Sequence, residues 1–121
     1  MSENSEKENL ILKLTFEFAI KNIEFCDELT KLKKYVIAHQ LLKSSTSIGA
    51  NVREAQHAES NSDFIHKMKI AMKEAEETKY WLELCMHSKD YPSPNELLIQ
   101  IESIIKVLSK ILIVLKTKSK I

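Results

Sequence analysis

The sequence predicts an all-α protein, an antiparallel up-down-up-down four-helix bundle, and three observations carry that expectation. Glycine occurs once and proline twice in 121 residues, too little turn chemistry for a fold of many short elements. Apolar residues recur at steps of three and four and never in alternating runs. The breaks between the periodic stretches are short, and short connections between long helices make neighbours antiparallel. The length suits a single domain over 1–121 with a core of its own.

The first helix is expected over about 6–29, with Ser5 as N-cap and Glu8 as its capping-box partner. Ile11, Leu14, Phe18, Phe25 and Leu29 form one apolar line along it, and Leu12, Phe16, Ala19, Ile23 and Cys26 form a second. A turn rich in lysine (Lys31, Lys33, Lys34) leads to a second helix over about 34–58, with an apolar seam of Ile37, Leu41, Ser45, Ile48, Val52 and Ala55. The third helix, about 62–88, opens at "SNSDF": Ser60 or Ser62 caps it, Asp63 favours the positive helix end, and Phe64 starts a seam. That seam continues through Met68, Ala71, Ala75, Thr78, Leu82 and Cys85, beside a mixed line of Ile70, Glu74, Glu77, Trp81 and Leu84. "DYPSPNE" is the clearest break, with Ser93 as N-cap, Pro94 at the first helical position and Glu96 completing a capping box. The fourth helix, about 94–116, carries Ile101, Ile105, Leu108, Leu112 and Leu115 next to Ile104, Val107, Ile111 and Val114.

A lone bundle needs one apolar stripe per helix, whereas these helices offer two, and the fourth is the most broadly apolar. The surplus predicts self-association into a homo-oligomer. The stretch "SSTSIGANVREAQ" belongs to this scheme. Gln40, Ser44, Ser47, Asn51, Glu54 and Ala58 step 4, 3, 4, 3, 4, an unbroken line of polar and small residues beside the apolar seam. Asn51 and Glu54 are expected to be buried and hydrogen-bonded, because buried polar groups need partners and so fix register. Gly49 falls off both lines, which leaves close approach of another helix and a local bend both open.

"HQLLKSSTSIGANVREA" followed by "SDFIHKMKIAMKEAEETKYWLEL" resembles the 23S rRNA intervening-sequence proteins, a family of four-helix bundles of poorly defined role. The resemblance rests on Gln40 and Leu41, Ser44 and Ser47, Ala50, Asn51 and Glu54, then Asp63 and Phe64, Ile70 and Ala71, and Glu77, and it spans about residues 10–116. Glu74 and Ala55 depart from it, standing where relatives often carry serine and glycine. The family is bacterial and similar to the accessory protein of diversity-generating retroelements, a basic pentameric barrel that engages nucleic acid and a reverse transcriptase. The resemblance implies a ring-like homo-oligomer, a homopentamer, with no enzymatic activity.

Little chemistry competes with a scaffold. Glu54 and His57 have the Glu-x-x-His spacing of bundle di-iron sites, but no second copy or further inward glutamates accompany them. Arg53 and His57 lie one turn apart with no polar set around them, and no glycine-rich phosphate loop exists. No catalytic residue, metal, cofactor or small-molecule substrate is expected. Cys26 and Cys85 lack metal or redox spacing, and the polar start "MSENSEKENL" does not read as a signal peptide, so a cytoplasmic protein with reduced thiols is expected. No apolar run reaches the roughly 20 residues that span a bilayer. A net charge of +1 gives no general pull toward nucleic acid. The alternative to a plain scaffold is an RNA- or DNA-binding accessory protein, or a partner of a nucleic-acid enzyme. Its contacts would be Lys31, Lys33 and Lys34 at one end and Lys116, Lys118 and Lys120 at the other, multiplied into basic rims by ring assembly.

Overall fold

The computed structural model describes the backbone of residues 3–119 and the side chains of 10–117. Four helices follow in order: α1 (Glu3–Lys31), α2 (Tyr35–Ala55), α3 (Asn61–His87) and α4 (Asn95–Ser119). Each packs on its chain neighbours, and α1 closes the square against α4. Ile11, Phe18 and Leu29 of α1, Leu41, Ile48 and Val52 of α2, Met68 and Leu82 of α3, and Ile101, Ile104 and Leu108 of α4 fill the core, each at 1% exposure or less. They occupy the lines that helical spacing assigns, because only the inward stripe of each helix escapes water.

The ends of the helices show how the chain turns with so little glycine. α1 runs into a turn where Lys33 takes a left-handed φ of 64°. The Lys34 N–H donates to the Leu29 carbonyl (2.9 Å) and the Lys33 N–H to that of Thr30 (2.9 Å), the paired bonds that close a helix C-terminus. Ser60 caps α3 by accepting from the Asp63 N–H (3.0 Å), and the Asp63 carboxylate accepts in return from the Glu59 N–H (3.2 Å).

Two expected caps do not form. Ser5 lies inside α1, which already begins at Glu3, so it does not stand at the cap position. The side chain of Glu8 lies outside the described residues. At the other site, α4 begins at Asn95, and the Leu98 N–H donates to the Pro94 carbonyl (2.9 Å), so Pro94 itself takes the cap position. Glu96 is then free to reach across to Lys21 of α1 instead of back toward Ser93.

The Lys34 ammonium sits 4.8 Å from the centre of the Tyr91 ring, which puts the α1–α2 turn beside the α3–α4 loop at one end of the bundle. The α2–α3 connection and the α4 terminus occupy the other end, where Ala58, Ser60 and Leu115 line one depression.

More large apolar side chains are exposed along α1 than along α4. The second line of α4 mostly serves the core, with Ile104 and Ile111 buried and Val107 and Val114 half-buried. Ile99 and Ile113 are the exposed large apolar side chains of α4. On α1, by contrast, Phe16 is 53% exposed and Ile20 and Ile23 are 44% exposed.

Candidate functional site: the polar line of α2 and the apolar groove beside it

The two flanks of α2 differ in chemistry. Its α3 flank carries the polar line. Ser44 is buried, and its hydroxyl shares a 2.9 Å hydrogen bond with that of Thr78 on α3. Alanines at 71 and 75 line the same side of α3, small enough to bring the two helices together. Gln40, Ser47 and Asn51 are half-buried. The Asn51 amide Nδ2 donates to the Ser47 carbonyl one turn back (2.8 Å), so its bond stays within α2.

Glu54 is exposed within the chain, contrary to the expectation of burial. It lies at the open end of α2, and its carboxylate stays in water while pairing with Lys67 of α3 at 3.2 Å. Burying an unneutralised carboxylate there would cost more than the contact returns. Glu77 is also exposed, one turn from half-buried Glu74. Loss of solvent, followed by repulsion from Glu77, holds the Glu74 carboxyl above its ordinary range, while Lys73 and Lys43 act against the rise.

The α1 flank forms a groove of about 370 Å³ lined by Leu12, Phe16 and Ala19 of α1 and Thr46, Ala50 and Arg53 of α2, among others. Gly49 forms its floor. A β-carbon on Gly49 would stand 3.3 Å from Thr15 Oγ1 and 3.4 Å from Thr15 Cβ. Glycine is therefore present because α1 crosses α2 closely at buried Thr15, whose hydroxyl is pinned by donating to the Ile11 carbonyl (2.7 Å). No local bend is needed to account for it. The Arg53 guanidinium lies 5.8 Å from the centre of the Phe16 ring at the mouth of the groove. Spacing marked Phe16 as apolar; the pairing of Phe16 with Arg53, and the groove itself, come only from bringing the two helices together.

The remaining sequence-stretch residues fall apart in space. Asp63 and Phe64 serve the start of α3, Asp63 in the cap and Phe64 packed against the core. Lys31 and Lys33 are exposed at the turn, Lys34 is held over Tyr91, and Lys116 stands at the opposite end against α3. Lys120 lies outside the described residues, as does the side chain of Lys118. Glu54 and His57 are both exposed, and among the described residues no three His, Cys, Asp or Glu side chains converge. No described helix is long and apolar enough to cross a membrane. Cys26 and Cys85 are free buried thiols. Burial, joined by the neighbouring Cys85 and then Asp27, pushes Cys26 up to about 12, and burial pushes Cys85 up to about 11.

These features define an all-α four-helix bundle with no assembled metal site among its described residues. The chain belongs to the 23S rRNA-intervening sequence protein family, whose sequence profile matches residues 7–113. It is similar to a protein of unknown function from the S23 ribosomal protein family of Bacteroides thetaiotaomicron VPI-5482, known from a crystal structure. The two are 38% identical, with a TM-score of 0.83 over 88% of this chain and 97% of that one. No curated protein matches the chain.

Proposed function

We propose that the protein is a non-enzymatic, cytoplasmic helical scaffold that assembles with copies of itself into a ring. The observation that carries this reading is the apolar groove between α1 and α2, with Phe16 left half in water on its α1 side. A face of this kind is best accounted for by a protein partner. A second copy fits because the adjoining α2–α3 flank offers the complementary charge. Arg53 stands exposed at the groove, and Glu74 and Glu77 repel each other on that flank. A contact between two different faces of one chain is heterologous, and such contacts close into rings when the rotation allows. Family resemblance favours five copies, and the likeness to the retroelement accessory protein is of the same standing.

The test is a mass measurement in solution. The wild type is expected to be oligomeric, Phe16→Glu monomeric but still helical, and Ile99→Glu on α4 oligomeric as before. A monomeric wild type overturns the proposal. Asn51→Leu adds a check on the polar flank, since it should weaken assembly or fold specificity if that line is covered by the neighbouring copy. A second reading, nucleic-acid contact through rims built from the turn and tail lysines, is favoured by the exposure of Lys31, Lys33 and Lys116.

A further inference from the structure

The antiparallel pairing of α3 with α4 joins two stretches that are far apart in sequence and share one property. On α3, no acidic residue lies between Asp63 and Glu74, a stretch that contains His66, Lys67, Lys69 and Lys73. On α4, none follows Glu102, and Lys106, Lys110 and Lys116 do. The register is fixed by Lys79 Nζ, 3.8 Å from Glu102 Oε1, and by a surface groove that brings Ile65, His66 and Lys69 against Lys116. The acid-free half of α3 therefore lies alongside the acid-free half of α4.

Lys69, Lys73, Lys106, Lys110 and Lys116 are all exposed, and among the described residues none of them is in an ion pair. Lys67 is spent on Glu54, and Lys73 is partly offset by Glu74 beside it. From Lys106 to Lys116 the helix rises about 15 Å; Lys116 turns toward α3, where it meets Lys69, and Lys106 stands about 80° around the helix from it. Glu76 and Glu102 mark where the cationic region ends, so the bundle face is cationic toward one end only.

We propose that this α3–α4 face binds the phosphate backbone of a nucleic acid. Fixed cations spread over about 15 Å of helix and contributed by two helices suit a linear polyanion better than a small anion, which one or two lysines would saturate. An anionic membrane fits less well, because Ile113 is the one strongly exposed large apolar side chain between Lys106 and Lys116 and a membrane-surface helix needs a continuous apolar face. The proposal rests on the nucleic-acid reading above for its ligand class. It differs in site, replacing the turn and tail lysines with Lys69 and Lys106 beside Lys116, and it needs no ring, since each chain carries the whole face.

The experiment is a salt titration of full-length protein against a short RNA duplex and the same-sequence DNA duplex, followed by fluorescence anisotropy. The wild type, Lys69→Gln/Lys106→Gln and Lys31→Gln/Lys33→Gln are compared, with circular dichroism to confirm that each is folded. Binding is expected to weaken steeply as salt rises. In the face variant the log–log salt slope should fall by about 2 and affinity at 0.1 M salt by about fifty-fold, as loss of two phosphate contacts requires. The turn variant should bind as the wild type does, and preference between the duplexes identifies which nucleic acid is the ligand. Absence of binding to either duplex at low salt overturns the proposal, as does binding only to phosphatidylserine vesicles. An unchanged slope in the face variant overturns it too. Loss of binding in the turn variant alone overturns this site while leaving the rim reading standing.

Discussion

Replacing Gly49 with alanine tests why the only glycine of the chain lies in the middle of a helix. In an unconstrained helix the change stabilises by about 1 kcal/mol, because glycine gives up more backbone freedom than alanine. Here the added methyl would meet Thr15 Oγ1 at 3.3 Å, tighter than comfortable packing, with Thr15 Cβ in ordinary contact at 3.4 Å. Thr15 cannot swing away freely, since it is 1% exposed and its hydroxyl is bonded 2.7 Å from the Ile11 carbonyl. Overpacking a constrained contact costs about 1–3 kcal/mol. The two effects oppose each other, and Gly49→Ala should come out neutral to about 2 kcal/mol destabilised. Thr15→Ala removes the crowding hydroxyl, so in that background Gly49→Ala should recover its gain of about 1 kcal/mol. Urea denaturation of the four members of this cycle reads out a coupling of about 1 kcal/mol or more between the two sites. A gain of the same size in both backgrounds would refute the close-approach account of Gly49.

Further outcomes follow from the same geometry. Lys33 holds a left-handed backbone that costs a side-chain-bearing residue about 1 kcal/mol, so Lys33→Gly should raise the denaturation midpoint; a fall would mean that the lysine side chain contributes more than its strain costs. Asn22 is fully buried, donates from Nδ2 to the Phe18 carbonyl (2.8 Å) and leaves Oδ1 without a partner. Asn22→Leu should therefore stabilise by about 1 kcal/mol, with a lower midpoint pointing to a role for the amide in specifying the core. The thiols of Cys26 and Cys85 ionise at about 12 and about 11 when folded, against an ordinary 9.0. Above pH 9 the unfolded chain gives up these protons while the folded chain keeps them, so stability falls with rising pH, by up to about 1.4 kcal/mol per pH unit for each thiol. Below pH 9 the thiols contribute no slope. A Cys26→Ala/Cys85→Ala variant should lack that part of the alkaline loss, and identical slopes in the two proteins would show the thiols to be no more buried than in the unfolded chain.

The sequence by itself determined the helices and their inward stripes. Leu41, Ile48 and Val52 are buried where a period of 3.6 puts them, and Ser60 with Asp63 starts α3, because periodicity and capping depend on residues a few positions apart. It also carried the family, through the motif residues of α2 and α3. What only the tertiary structure decided depends on residues distant in the chain. Leu12, Phe16 and Ile23 read as a second seam, but spacing has no means of telling a seam covered by a neighbour from one left in water. The second line of α4 reads the same way and is largely inside. Gly49 had no visible reason until Thr15 of α1 was placed above it. Lys69 is scattered among other charges along α3, and it joins Lys116 on one face only through the pairing fixed near Lys79 and Glu102. The physical division is one of range. Local backbone preference and burial period are written into neighbouring residues, whereas crossing distance, the face left uncovered and the summed field of charges arise from the packing of whole helices.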